Sequence, residues 1–194
     1  MTAVDPPAGL DIQHIPGFLK PEAARHWFEC LRRGVNWQQE QFQIFGRRMT
    51  SPRLTACAGE AGTSYRYAGT AHQAMGWCWG LAELVQDIRE AAGWYPNFVL
   101  LNLYRDGQDA MGWHSDDEAS LGPEPLIASL SLGETRRFRF RRRDNHRTTF
   151  AMQLSDGDLL LMWGRSQRDW QHTLPRTRRA VGPRINLTFR RISS

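Results

Sequence analysis

His114-Ser-Asp116 places an imidazole and a carboxylate two positions apart, so on a strand edge or an extended loop both project to one side. A metal ion can bridge them. The third ligand must come from far along the chain, and His172, on a turn predicted soon after an apolar strand over 158–163, is placed to supply it. Two imidazoles and one carboxylate on one face leave the opposite coordination positions open, the arrangement of non-haem Fe(II) oxygenases. Taken by themselves, the same residues also fit polar surface groups bonded to backbone.

Downstream of His172, Arg184, Asn186, Thr188 and Arg190 alternate with Ile185, Leu187 and Phe189. A strand there sends the polar set to one face and the apolar set to the other. Two arginines facing inward need an anion, because a buried guanidinium is costly unless paired, and a dicarboxylate would satisfy both. Asn102 and Tyr104 share a face of a strand leading to the loop that carries His114, and can add neutral donors. The alternative is a solvated, outward-facing charged row.

The elements that must hold these groups are legible from periodicity. Pro21 precedes an amphipathic helix over 22–33, with Ala23, Trp27, Cys30 and Leu31 on one side. A second helix is predicted over 79–92, with Leu81, Leu84, Val85 and Ile88 as its stripe and Gly93 as its stop. Six short apolar or alternating runs follow, over 97–104, 126–132, 136–141, 148–154, 158–163 and 184–190. Such a series predicts a mainly β protein with flanking helices, a β-sandwich or jelly roll with the helices packed outside it. Within it, Phe138 and Phe140 should face the core while Arg137, Arg139 and Arg141 face out.

With 194 residues, 41% of them hydrophobic, the chain can bury one core and is expected to be a single domain, with about ten N-terminal residues as a loose tail. A net charge of +5 hides an asymmetry: residues 136–191 hold 15 arginines against 4 aspartates, and the remainder is net acidic. This fits a polyanionic partner such as nucleic acid, or equally a solvated surface in a chain whose only lysine is Lys20. Cys30, Cys57 and Cys78 show neither paired spacing nor a thiolate cluster, so reduced thiols are expected. No leader-like or membrane-length apolar run is visible, and a soluble, intracellular (cytoplasmic) monomer without membrane contact is expected.

The string Asn102-Leu-Tyr104-Arg-Asp-Gly107, then Gly112-Trp-His114-Ser-Asp116-Asp117-Glu118, Ile127-Ala-Ser-Leu-Ser-Leu-Gly133, His172 and Pro183-Arg184-Ile-Asn186-Leu-Thr188-Phe-Arg190 resembles the AlkB family of Fe(II)- and 2-oxoglutarate-dependent dioxygenases. The resemblance covers roughly residues 42–192 and is especially close to the family's mammalian duplex-DNA-repairing homologue. It implies a double-stranded β-helix (jelly-roll) core over about 97–192, preceded by a nucleotide-recognition lid over about 42–69. His114, Asp116 and His172 would then hold Fe(II). Arg184 would pair with the distal carboxylate of 2-oxoglutarate, Asn102, Tyr104, Asn186, Thr188 and Arg190 would complete that site, and Trp163 would wall it. O2 is the second cosubstrate. The family's chemistry decarboxylates 2-oxoglutarate to succinate and CO2 and hydroxylates an N-alkyl group, which then leaves as formaldehyde.

The resemblance also implies an alkylated nucleic acid as partner: DNA, duplex or single-stranded, or RNA. Arg53, and Tyr65, Arg66 and Tyr67, match the segment that lines the family's flipped-base pocket, where an extruded base is held between aromatic faces. Phe45 matches a finger that enters the base stack, with Gly46 freeing the tip and Arg47 near flanking phosphates. Asp117 and Glu118 would accept a hydrogen bond from an exocyclic amine. Two departures bear on substrate preference: Gln171 stands where an aromatic is familiar, and Ala58 where the duplex-acting homologue has Tyr. The expected activity is direct-reversal repair of N1-methyladenine and N3-methylcytosine type lesions. An RNA or protein demethylase, a non-catalytic nucleic-acid binding module and a metal-dependent hydrolase are the alternatives.

Overall fold

The structure is a computed structural model and describes residues 5–44, 47–67 and 70–193. Along the chain come β1 (Ile12–Ile15), α1 (Pro21–Gly34), β2 (Gln41–Ile44), β3 (Arg47–Thr50), β4 (Leu54–Gly59), β5 (Ser64–Tyr67) and β6 (Thr70–Gln73). A 3-10 turn, Cys78–Gly80, leads into α2 (Leu81–Ala92). Then follow β7 (Phe98–Tyr104), β8 (Met111–His114), β9 (Ile127–Gly133), β10 (Arg136–Arg142), β11 (Thr149–Leu154), β12 (Leu159–Met162), the short α3 (Arg165–Arg168), β13 (Trp170–Leu174) and β14 (Arg184–Arg190).

Pro21 opens α1, where its fixed φ is already helical and its missing N–H costs no bond. Gly93 ends α2 in a left-handed conformation at φ +61°, its N–H returning to the Arg89 carbonyl. The two helices bury Leu31, Leu81, Leu84, Val85 and Ile88 against a six-stranded sheet of order β1-β12-β9-β14-β7-β4. A four-stranded sheet, β11-β10-β13-β8, supplies the second layer. Among the described residues every strand pair is antiparallel.

Alternation within each strand divides the interior in two. Val99, Leu101 and Leu103 of β7 and Ile185, Leu187 and Phe189 of β14 join the helix-side core. Phe98, Leu100 and Tyr104 join Phe138, Phe140, Trp170 and Leu174 in the second core. Both β7 and β14 are buried along their whole length, because helices cover one face and other strands the opposite one. The outward expectation for β10 holds: Phe138 and Phe140 are buried while Arg137 is exposed and Arg139 and Arg141 are half-exposed.

The structure refines the expectations at several points. His172 lies in the middle of β13 rather than on a turn, because β13 pairs on both sides, with β10 and with β8. Within 42–69, β4 is an edge strand of the larger sheet, registered along β7, while β2–β3 and β5–β6 are separate two-stranded hairpins. Ala58 on β4, 1% exposed, packs in the helix-side core and offers no lid contact. At the N-terminus, Leu10 is 3% exposed in the second core, so the described part of the tail ends before it.

Candidate metal centre and cosubstrate pocket

One cross-strand row of the smaller sheet carries both imidazoles. Phe150 pairs with Phe140, Phe140 with His172, and His172 with His114, so their side chains stand side by side on the inner face. The two imidazole centroids are 4.2 Å apart, and the Phe138 ring stacks on His172 at 5.4 Å. Asp116 lies two residues beyond the end of β8. The ligand atoms of His114, Asp116 and His172 all fall within 4.8 Å of one another, the sole such group of three or more among the described residues.

Their protonation states suit a divalent metal, which binds neutral imidazole and ionised carboxylate. Burial holds the His172 imidazole down to about 3, and the neighbouring His114 adds to the effect. Burial likewise lowers His114. Burial alone would raise the Asp116 carboxyl, but the Arg190 guanidinium and then the two imidazoles outweigh it and hold it at about 2. His114 Nδ1 donates to the Gly112 carbonyl at 2.9 Å, which leaves Nε2 for a metal.

Facing this row across the interior is the polar side of β14. Thr188 is flanked by Leu100 and Ser129, and Asn186 by Asn102 and Ser131, in register. Together with His114, Asp116 and His172, the residues Leu100, Asn102, Ser129, Asn186 and Thr188 line a pocket of about 490 Å³, its mouth included, which Arg53, Tyr104, Met111, Phe138, Met162, Leu174, Arg184 and Arg190 complete. The inward row expected for β14 is therefore present, but its members have different partners. Asn186 donates to Ser129 Oγ at 2.8 Å and to the Leu130 carbonyl at 3.1 Å, and Thr188 Oγ1 donates to Asn186 Oδ1 at 2.9 Å. Arg53 Nε donates to Asn102 Oδ1 at 2.6 Å.

The two arginines of β14 divide most sharply. Arg190 Nη2 donates to Asp116 Oδ1 at 2.6 Å, a buried pair that raises its own pKa. Arg190 also lines the pocket, so its charge is engaged by Asp116 at the pocket wall. Arg184, 2% exposed, has no carboxylate partner among the described residues: Nη2 donates to Ser131 Oγ at 2.8 Å, the Tyr104 ring lies 5.5 Å away, and Nε is buried with no acceptor among them. Burial pulls its pKa down to about 10. An anion is the chemical partner such a group requires.

The remaining expected residues are dispersed. Trp163 follows the end of β12 and is 38% exposed; its neighbour Met162 lines the pocket instead. Tyr65 has no exposed surface and packs in the second core, its ring 5.3 Å from Phe98 and 5.1 Å from the Arg190 guanidinium carbon. Arg66 and Asp117 are exposed, Asp117 in a salt bridge with Arg143. Glu118 is half-buried, its carboxyl raised by burial and by Asp116. Arg47 opens β3 and Tyr67 closes β5. Phe45 and Gly46 lie outside the described residues. Sequence reasoning missed Ser129 and Ser131, although both sit on the pocket-facing side of β9 by simple alternation. It also missed Gln167, which carries no sequence signal.

A model of the 2OG-Fe(II) oxygenase superfamily matches residues 11–190. The alpha-ketoglutarate-dependent dioxygenase alkB homolog 3 of Bos taurus is 41% identical over 185 residues, 91% of this chain and 64% of that protein. The DNA oxidative demethylase ALKBH2 of Homo sapiens is 34% identical over 194 residues, 95% of this chain and 74% of that protein. The chain belongs to the AlkB branch of the 2OG-Fe(II) oxygenase superfamily. It spans about two thirds of the length of these AlkB relatives. The solved structure of OsALKBH1 shares the fold at a TM-score of 0.66 and 20% identity, over 93% of this chain and 97% of that one. AlkB membership implies Fe(II), 2-oxoglutarate and O2, and the residues present fit them: a deprotonated His-Asp-His set on one side of the pocket, and on the other the acid-free Arg184, whose Nε lacks an acceptor.

Proposed function

We propose that the chain oxidatively removes alkyl groups from nucleic-acid bases of the N1-methyladenine and N3-methylcytosine type, releasing formaldehyde, succinate and CO2. The observation that carries this reading is an open His-Asp-His centre sharing one pocket with a buried, acid-free guanidinium, in a chain similar to proteins named DNA oxidative demethylase. His114, Asp116 and His172 hold Fe(II), which supplies activation of O2 beside bound 2-oxoglutarate. Arg184 receives the distal carboxylate of the cosubstrate, its fork oriented by Ser131 and its face covered by Tyr104. Arg190 donates to Asp116 Oδ1 and so would keep that carboxylate ionised and held in place beside the two imidazoles. Leu100, Met111, Phe138, Met162 and Leu174 give the pocket apolar walls that exclude water from the reacting atoms.

The hairpins β2–β3 and β5–β6 form the nucleotide-recognition lid, with Phe45, Gly46, Arg47, Arg66 and Tyr67 as its contacts to alkylated DNA. A second feature supports a polyanionic partner. A groove with about 1340 Å³ of space, open to solvent, is lined by Arg137, Arg139, Arg176 and Arg179. Among the described residues none of these four has a carboxylate within ion-pair distance, whereas Arg142, Arg143, Arg165 and Arg168 each do. Unpaired guanidinium groups on one surface suit a phosphodiester backbone. The test is an anaerobic titration with Fe(II) and 2-oxoglutarate, followed by O2 and methylated DNA and RNA oligonucleotides with formaldehyde detection. Formaldehyde from the methylated oligonucleotides supports the reading. Cosubstrate turnover with none from any of them removes the nucleic-acid substrate.

A further inference from the structure

Asp116 sits where regular structure gives it no help. β8 ends at His114, so the backbone N–H of Asp116, in a residue 1% exposed, has no ladder partner. Its acceptor is a side chain 51 residues away: Gln167 Oε1, at 2.9 Å. Gln167 is itself 1% exposed and belongs to α3, the single turn between β12, which brings Met162 to the pocket, and β13, which carries His172. The other end of its amide settles the orientation, since Nε2 faces the Met162 sulfur at 3.8 Å, a weak acceptor, and the oxygen faces the N–H. The adjoining residue is tied to the same segment, Ser115 Oγ donating to the Trp170 carbonyl at 2.7 Å. α3 is anchored in turn by the Arg165 N–H on Asp11 Oδ2 at 2.7 Å and by Ser166 Oγ on the Trp163 carbonyl at 2.6 Å.

We propose that Gln167 is a positioning residue for the metal centre: by accepting the buried Asp116 N–H, it aims the Asp116 carboxylate at the site shared with His114 and His172. It touches neither the pocket nor the metal ligand atoms. Its effect runs through the backbone of one ligand. Removal of the acceptor leaves a buried N–H unsatisfied, and the loop relieves that only by turning toward water, which swings the carboxylate off the shared face. The amide is also the suitable chemistry, because a carboxylate at position 167 would set a second negative charge against Asp116. The assignment rests on the triad being a metal centre and is independent of the substrate.

Co(II) is the probe, followed by its d–d absorption, which reports the ligand set, in the full chain with Asp116→Ala as the reference for a lost carboxylate. Gln167→Leu is expected to weaken Co(II) binding about 10- to 100-fold, as loss of outer-shell support does. Its band should shift toward that of Asp116→Ala. A folded Gln167→Leu protein with the parent's affinity and band, whatever its thermal midpoint, overturns the proposal. Should that variant not fold, Gln167→Asn, whose oxygen is drawn back by one methylene, carries the same test in the same direction. Absence of Co(II) binding by the parent overturns the metal centre and this assignment with it.

Discussion

Arg184→Met separates function from stability. In the ligand-free protein Arg184 is a cation without a carboxylate, and a fall from 12.5 to about 10 corresponds to roughly 3 kcal/mol of disfavoured charge at about 1.36 kcal/mol per pH unit. Methionine fills a similar volume without charge. Replacing a buried ion by an apolar side chain is often neutral or stabilising, although here Ser131 Oγ gives up one bond. The thermal midpoint of the metal-free protein should therefore stay level or rise. Cosubstrate binding should move the other way. Truncating one partner of a buried, hydrogen-bonded charge pair costs about 2–5 kcal/mol, roughly 30-fold to several-thousand-fold in Kd at about 1.4 kcal/mol per decade. The assay is calorimetric titration of 2-oxoglutarate into Mn(II)-loaded protein, beside melting curves of the metal-free form. Affinity within threefold of the parent would refute Arg184 as the carboxylate receptor. A clear drop in the metal-free midpoint would refute the charge as a burden on the fold.

Further outcomes are expected from the same geometry. His172 is neutral in the fold down to about 3 but protonates near 6.5 when unfolded, so the unfolded chain binds more protons in between and stability falls as pH drops through that window. Melting of the metal-free protein should show this fall from pH 7 to pH 5, and His172→Asn should flatten it; parallel profiles would contradict the assignment. Arg137→Gln combined with Arg179→Gln should weaken binding of unmodified DNA and lower the slope of log K against log salt by about one for each phosphate no longer neutralised, with an unchanged slope counting against the groove. Phe45→Ala should slow demethylation of a methylated strand in duplex more than of the same strand alone, and equal slowing on both would remove the finger.

The residues themselves determined a good deal. Strict alternation over 184–190 dictates that Arg184, Asn186, Thr188 and Arg190 share a face, because side chains of a strand alternate whatever surrounds it. The same rule placed Phe138 and Phe140 inward, and helical periodicity with Pro21 and Gly93 set α1 and α2 within two residues of their observed bounds. These are local properties. What the sequence could not decide is which of two equivalent arginines meets an acid. That follows from β14 running between β7 and β9, with the loop after β8 bringing Asp116 to its Arg190 end and only Ser131 and Tyr104 reaching Arg184. Gln167 is the same case, one glutamine among several until 51 residues of chain fold back to set it under Asp116. The burial of Tyr65 is likewise tertiary, because the side of β5 it occupies packs on Phe98. Spacing along the chain carries donor chemistry and face, whereas partner choice depends on contacts between distant segments, and those exist only once the two sheets have closed on each other.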